Sequence, residues 1–112
     1  MIDSTDKLSL AQRLTLPPSA RCGVGIDVGA VSVTAAVVIE GAGTTLSVPT
    51  EWKLLPTGDG SGMQILLSPY RRTRGRPAKA ATEMLKDIFA FIDPEAVSSV
   101  ILTGSGAAAA SD

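Results

Sequence analysis

The stretch CGVGIDVGAVSVTAAVVIE, Cys22–Glu40, decides how the chain is read. Val24, Ile26 and Val28 alternate with Gly23, Gly25 and Asp27. An extended Arg21 to Val28 therefore has one apolar side, and a second side bearing two glycines and a carboxylate. Val31 to Glu40 is small and β-branched, which predicts a second strand rather than a helix. Gly29 and Ala30 leave room only for a tight connection, so the two strands form a β-hairpin. One carboxylate, Asp27, then sits inside a strand that should be buried, with glycines on both sides.

A second glycine-rich loop, Thr103-Gly104-Ser105-Gly106, follows another short apolar run. Glycines at strand ends let backbone N–H groups approach an anion closely, because no Cβ intervenes. Asp27 repels phosphate directly, but it can reach phosphate through a divalent cation, whose preference for oxygen ligands suits a carboxylate. The pairing suggests a metal–phosphate site. The residues alone leave a plainer alternative open, in which Asp27 is a strand-edge residue and the glycines only shape a hairpin. A dinucleotide fold needs a helix directly after its glycines, and SVTAAVVIE has a strand pattern. No GK[ST] P-loop occurs.

Composition bounds the function classes. The 112 residues fit one small domain, with 45% hydrophobic and 19% charged residues and a net charge of −1. That balance is globular, and it does not suit a dedicated nucleic-acid binder. Cys22 is the only cysteine and there is no histidine. An internal disulfide, a zinc or iron–sulfur site and a Ser-His-Asp arrangement at Ser105 are all excluded within this chain. The N-terminus lacks the pattern of a signal peptide, and no run reaches the roughly 20 apolar residues of a membrane span. A reducing, cytoplasmic setting is the expectation.

Residues 1–20 read as a leader with a short helix from Thr5 to Leu14, ended by Pro17 and Pro18. Gly41 to Gly43 is a predicted turn. Thr44 to Leu55 and Met63 to Thr73 supply one or two further strands, separated by the PTGDGSG turn. Trp52 and Tyr70 are expected to pack. Pro77 to Ile92 is the clearest helix, with Ala81, Met84, Leu85, Ile88, Phe91 and Ile92 at helical spacing. Asp93-Pro94 stops it and opens a single turn. Val100 to Leu102 is expected to be a short buried strand. RRTRGR, Arg71–Arg76, holds four arginines, whose forks suit phosphates or an acidic partner. No aromatic residue interleaves with them, so the expectation is a solvated loop without a nucleic-acid partner. The whole reads as mixed α/β: an antiparallel β-meander, then a helix crossover to a parallel strand. An incomplete sheet edge would invite a homo-dimer.

GIDVGAVSVTAAVV, Gly25–Val38, resembles the first phosphate motif of the actin, sugar kinase and Hsp70 ATPase superfamily. More narrowly it resembles the BadF/BadG/BcrA/BcrD family, the activators of 2-hydroxyacyl-CoA dehydratases and benzoyl-CoA reductases. That family has G-I-D-x-G, then Y-x-x-T-x-G-x-P, then T-G-x-G. Here these are Gly25-Ile26-Asp27-Val28-Gly29, then Tyr70, Thr73, Gly75 and Pro77, then Thr103-Gly104-Ser105-Gly106. The resemblance spans Cys22 to Ala107. It implies a ribonuclease-H-like half domain over residues 21–112, the N-terminal lobe of an actin-like ATPase, with ATP and magnesium as cofactors. Asp27 would help hold the magnesium water shell, and Gly29, Ala30, Ser32, Gly104 and Gly106 would meet the nucleotide. The implied partners are a second ATPase lobe and a dehydratase that receives an electron when ATP is hydrolysed.

The departures carry weight too. Ala30 stands where the family usually has serine, Thr34 where it has lysine, and Ala107 where arginine often follows T-G-x-G. The cluster cysteines, the second phosphate motif and the adenosine motif are absent from these 112 residues. The expectation is no ATP hydrolysis by this chain alone. It would be either a piece of a longer activator or a non-catalytic interaction module with the same half-fold.

Overall fold

The computed structural model describes residues 16–17, 19–41, 48–49, 51–56 and 62–106. Among them are six strands and one α-helix: β1 (Arg21–Val28), β2 (Ser32–Glu40), β3 (Lys53–Pro56), β4 (Gln64–Leu67), β5 (Arg71–Arg72), α1 (Pro77–Phe91) and β6 (Val97–Thr103). A 3-10 turn at Pro94–Ala96 joins α1 to β6, and the Asp93 carboxylate accepts the Glu95 N–H at 3.0 Å. The mixed α/β class and the helix crossover are as expected. The predicted leader helix, most of the Gly41–Gly43 turn and most of the PTGDGSG turn lie outside the described residues.

The strands make one sheet in the order β3-β4-β2-β1-β6, with β5 also on β2. β1 runs antiparallel to β2 and parallel to β6. The predicted meander needs correction, because β2 pairs with β4 rather than with β3. β3 lies outermost and reaches the sheet only through β4. Its sequence KLLP suits an edge, since Pro56 has no N–H to give a second neighbour and Lys53 guards against strand addition.

One face of the sheet is the core. Cys22, Val24, Ile26 and Val28 of β1, Val33, Val37 and Ile39 of β2, and Leu66 of β4 are all buried. α1 covers them with Ala80, Ala81, Met84, Ile88 and Phe91. Trp52 closes the side of this layer, its ring edge-on to Phe91 with centroids 5.0 Å apart. Burial pushes the Cys22 thiol pKa up, so it stays a protonated apolar strand residue. β6 is longer than expected and less covered: Val100 and Ile101 are 42% and 64% exposed, which corrects the predicted buried strand. No helix among the described residues is long and apolar enough to cross a membrane.

β4 and β5 are two parts of one extended run along β2, broken at Pro69. Ala36 faces Leu67 and Val33 faces Arg71, so four steps on one strand match three on the other. The extra residue is a bulge at Pro69–Tyr70, and Pro69 cannot donate to the ladder there. Ser68 compensates: its N–H donates to the Ala35 carbonyl at 2.9 Å and its hydroxyl accepts the Ala35 N–H at 2.7 Å. The slip changes which side chains face the helix. Arg71 joins Val33 on the core face, where it ion-pairs with Glu83 at 2.8 Å and with Asp87. Tyr70 is turned out and is 79% exposed, against the expectation that it packs.

Removing side-chain volume at the centre of α1 tests this layer. Ile88→Ala should lower unfolding free energy by about 2–5 kcal/mol with an unchanged denaturant slope. Urea denaturation measures it, and a smaller loss would mean that α1 does not carry the core.

Candidate functional site

The uncovered face of the sheet is mixed: Gly23, Gly25, Ala36 and Val38 lie between Arg21 and Glu40 at one end and Asp27 and Thr34 at the other. Asp27 ends β1 on that face, directly opposite Thr34 of β2 and beside Thr103 of β6. The Asp27 carboxylate is thus bracketed by a hydroxyl on each neighbouring strand. Ser32 lies two residues before Thr34, on the same face, and Arg72 pairs with Ser32 across β5. Gly25 and Ala36 leave the floor beside this corner shallow. The result is an open hollow of about 660 Å³ that Asp27, Thr34 and Thr103 share with a second carboxylate, Glu51, and with Lys53 and Tyr70.

The two glycine loops meet here. Gly104 has φ +95, and a methyl group there would run into the Asp27 carboxylate and lie 2.6 Å from the Val28 carbonyl oxygen. The Gly106 N–H donates to that same carbonyl at 2.7 Å. A methyl group at Gly106 would come within 2.8 Å of the Val28 side chain and 3.1 Å of Pro77, so the loop is wedged between the end of β1 and the start of α1. Only glycine allows both approaches.

The hairpin turn is held from the far side. The Thr73 N–H donates to Val31 O at 2.8 Å, and its hydroxyl to Ala30 O at 2.7 Å. Buried Thr73 is thereby the latch that fixes the turn. The Gly29 N–H is spent inside the turn on Ser32 O at 2.9 Å. A Cβ at Gly29 would sit tightly, 3.0 Å from that oxygen. Among the described residues, nothing accepts the N–H groups of Ala30, Val31 or Ser105, so these are the amides left to meet an anion.

The expected site residues Asp27, Gly29, Ala30, Ser32, Gly104 and Gly106 therefore cluster at one end of the sheet. Sequence reading missed Thr103 as a site neighbour and treated Thr34 only as a lost lysine. The signal for Thr34 was present in the hairpin length, which puts residue 34 opposite residue 27. Among the described residues no group of three or more His, Cys, Asp and Glu side chains comes together. Asp27 with its neighbouring hydroxyls, and Glu51 elsewhere on the lining, do not make a protein cage for a bare metal ion. The arrangement does suit a hydrated magnesium held mainly by phosphate oxygens, since that ion keeps several waters and takes one or two carboxylates. Compared with protein families, curated proteins and solved structures, the chain matches none.

Two glycines separate the effects argued here. Gly75, at φ +75, has nothing within 4 Å of an added Cβ, whereas Gly104 has both a positive φ and a clash with backbone. Gly75→Ala should cost about 1–2 kcal/mol, from conformation alone. Gly104→Ala should cost clearly more, about 3 kcal/mol or above. Equal losses in chemical denaturation would mean that the Gly104 loop does not cross Val28 tightly.

Proposed function

We propose that the chain is an ATP- and magnesium-binding lobe with a ribonuclease-H-like half-fold, of the kind found in activator-type ATPases. The observation that supports it is the meeting of Asp27 with both glycine corners at the same strand ends. The strand order is compatible with it: three antiparallel strands, β4-β2-β1, are extended by parallel β6 through α1, with β3 added outside β4.

In this reading each residue has a limited task. Asp27 accepts hydrogen bonds from waters on a phosphate-bound cation. The Ala30 and Val31 N–H groups, presented by the Thr73 latch, meet phosphate oxygens. Ser32 and Thr34 offer hydroxyls on the same face. Magnesium, when bound with ATP, would neutralise phosphate charge. The other wall of a nucleotide cleft comes from a second lobe, so this chain binds without turning over. A dehydratase-like partner belongs to the same proposal.

A second reading has its own observation. Leu55 and Ile101 stand exposed on the uncovered face, and β6 pairs on one side only among the described residues. Both features suit an interaction module that carries the half-fold without the chemistry.

Titration calorimetry with magnesium and ADP or ATP separates the two. Binding that weakens at least about tenfold in Asp27→Asn, roughly 1.4 kcal/mol, supports the nucleotide lobe. Absence of heat at millimolar nucleotide, with concentration-dependent self-association in sedimentation, supports the interaction module instead.

A further inference from the structure

Arg72, Thr73, Arg74, Arg76 and Lys79 surround a second open hollow of about 510 Å³, walled by the Arg71–Glu83 ion pair. This is the segment expected to be a solvated loop, and its charge is poorly balanced. The acidic side chains of α1, Glu83 and Asp87, are both engaged by Arg71. Arg72, Arg74, Arg76 and Lys79 are exposed and make no ion pair among the described residues. Four unpaired cations facing one hollow repel each other, in a chain whose net charge is −1.

The backbone adds to this charge. α1 begins at Pro77 with Arg76 as its N-cap, which contributes no side-chain hydrogen bond, and no acidic residue occupies the first turn. The first helical hydrogen bond is from Ala80 N–H to Arg76 O at 3.0 Å, so the Ala78 and Lys79 amides find no partner within the helix. Helices ordinarily place acids at this end and bases at the other. Here three cations stand at the positive end, an arrangement that an anion would relieve.

We propose that this hollow binds a compact small molecule carrying two or more phosphate groups, gripped by Arg74, Arg76 and Lys79. Arginine forks give directed pairs of hydrogen bonds to phosphate oxygens, and the volume lies within the range of small-ligand sites. No aromatic side chain lines it, so bases have nothing to stack on, and the charge of the ligand is what is recognised. The site is separate from Asp27 and requires no cation.

The test uses the full chain with inorganic pyrophosphate, in EDTA without magnesium. Saturable binding is expected, weakening at least about tenfold as salt rises from low ionic strength to near molar. Arg74→Asn with Arg76→Gln should weaken it at least about tenfold, Asn being chosen because Arg74 holds φ 51. Lys79→Gln should weaken it as well, and provides a helix-compatible variant if the double change disturbs folding. Asp27→Asn should leave it unchanged, so failure here is distinct from failure of the nucleotide lobe. The proposal is overturned by no binding at millimolar pyrophosphate or by equal affinity in the charge variants. It is also overturned if single-stranded oligonucleotides bind orders of magnitude more tightly than pyrophosphate.

Discussion

The Val28 carbonyl is the point at which the pieces of this fold are joined. It ends β1, accepts the Gly106 N–H at 2.7 Å, and is crossed so closely by Gly104 that no Cβ fits. Its own side chain is fully buried and leaves no room for a Cβ at Gly106. One residue thus ties the core face, the loop after β6 and the start of α1 into a single corner. Asp27, one position earlier, necessarily points the other way and stands against that loop. The placement of the carboxylate is a consequence of strand alternation and a glycine crossing, with no dedicated hydrogen bond needed to hold it.

The second constraint is Pro69. A regular β4–β5 run would put Tyr70 toward the helix and Arg71 on the open face. The bulge reverses both: Arg71 enters the helix layer, where Glu83 and Asp87 meet it, and Tyr70 goes to the rim of the open hollow. It also brings Thr73 to the depth at which its N–H and hydroxyl reach the hairpin turn. An inserted residue thereby decides which of the neighbouring arginines is structural and which remain free.

This explains what the sequence made legible and what it hid. β1 is found at Arg21–Val28 as read, and α1 ends one residue short of expectation at Phe91, because local alternation and helical spacing report directly on burial. The Asp93 cap was readable for the same reason. Three things were not readable: the outer place of β3, the exposure of Tyr70 and the pairing of Arg71. Each depends on register between segments far apart in the chain, and a single extra residue at Pro69 inverts the parity on which side-chain direction rests. Of the site, Asp27 and the glycines were visible as residue types. Thr103 became its neighbour only through parallel pairing with β6.

Charge separates the two corners of the molecule. In the proposed nucleotide site, Asp27 would be reconciled with phosphate by a cation, beside hydroxyls and free amides and in a hollow that Glu51 and Lys53 also line. At the head of α1 the excess is positive and phosphate needs no intermediary. The two places lie close together, since a Cβ at Gly106 would run against Pro77 and Thr73 latches the Ala30–Val31 turn. Their electrostatics are nevertheless opposite, so magnesium should strengthen phosphate binding at the first and compete for the ligand's charge at the second. The sign of the magnesium effect therefore tells which corner a given phosphate compound occupies, independently of any substitution.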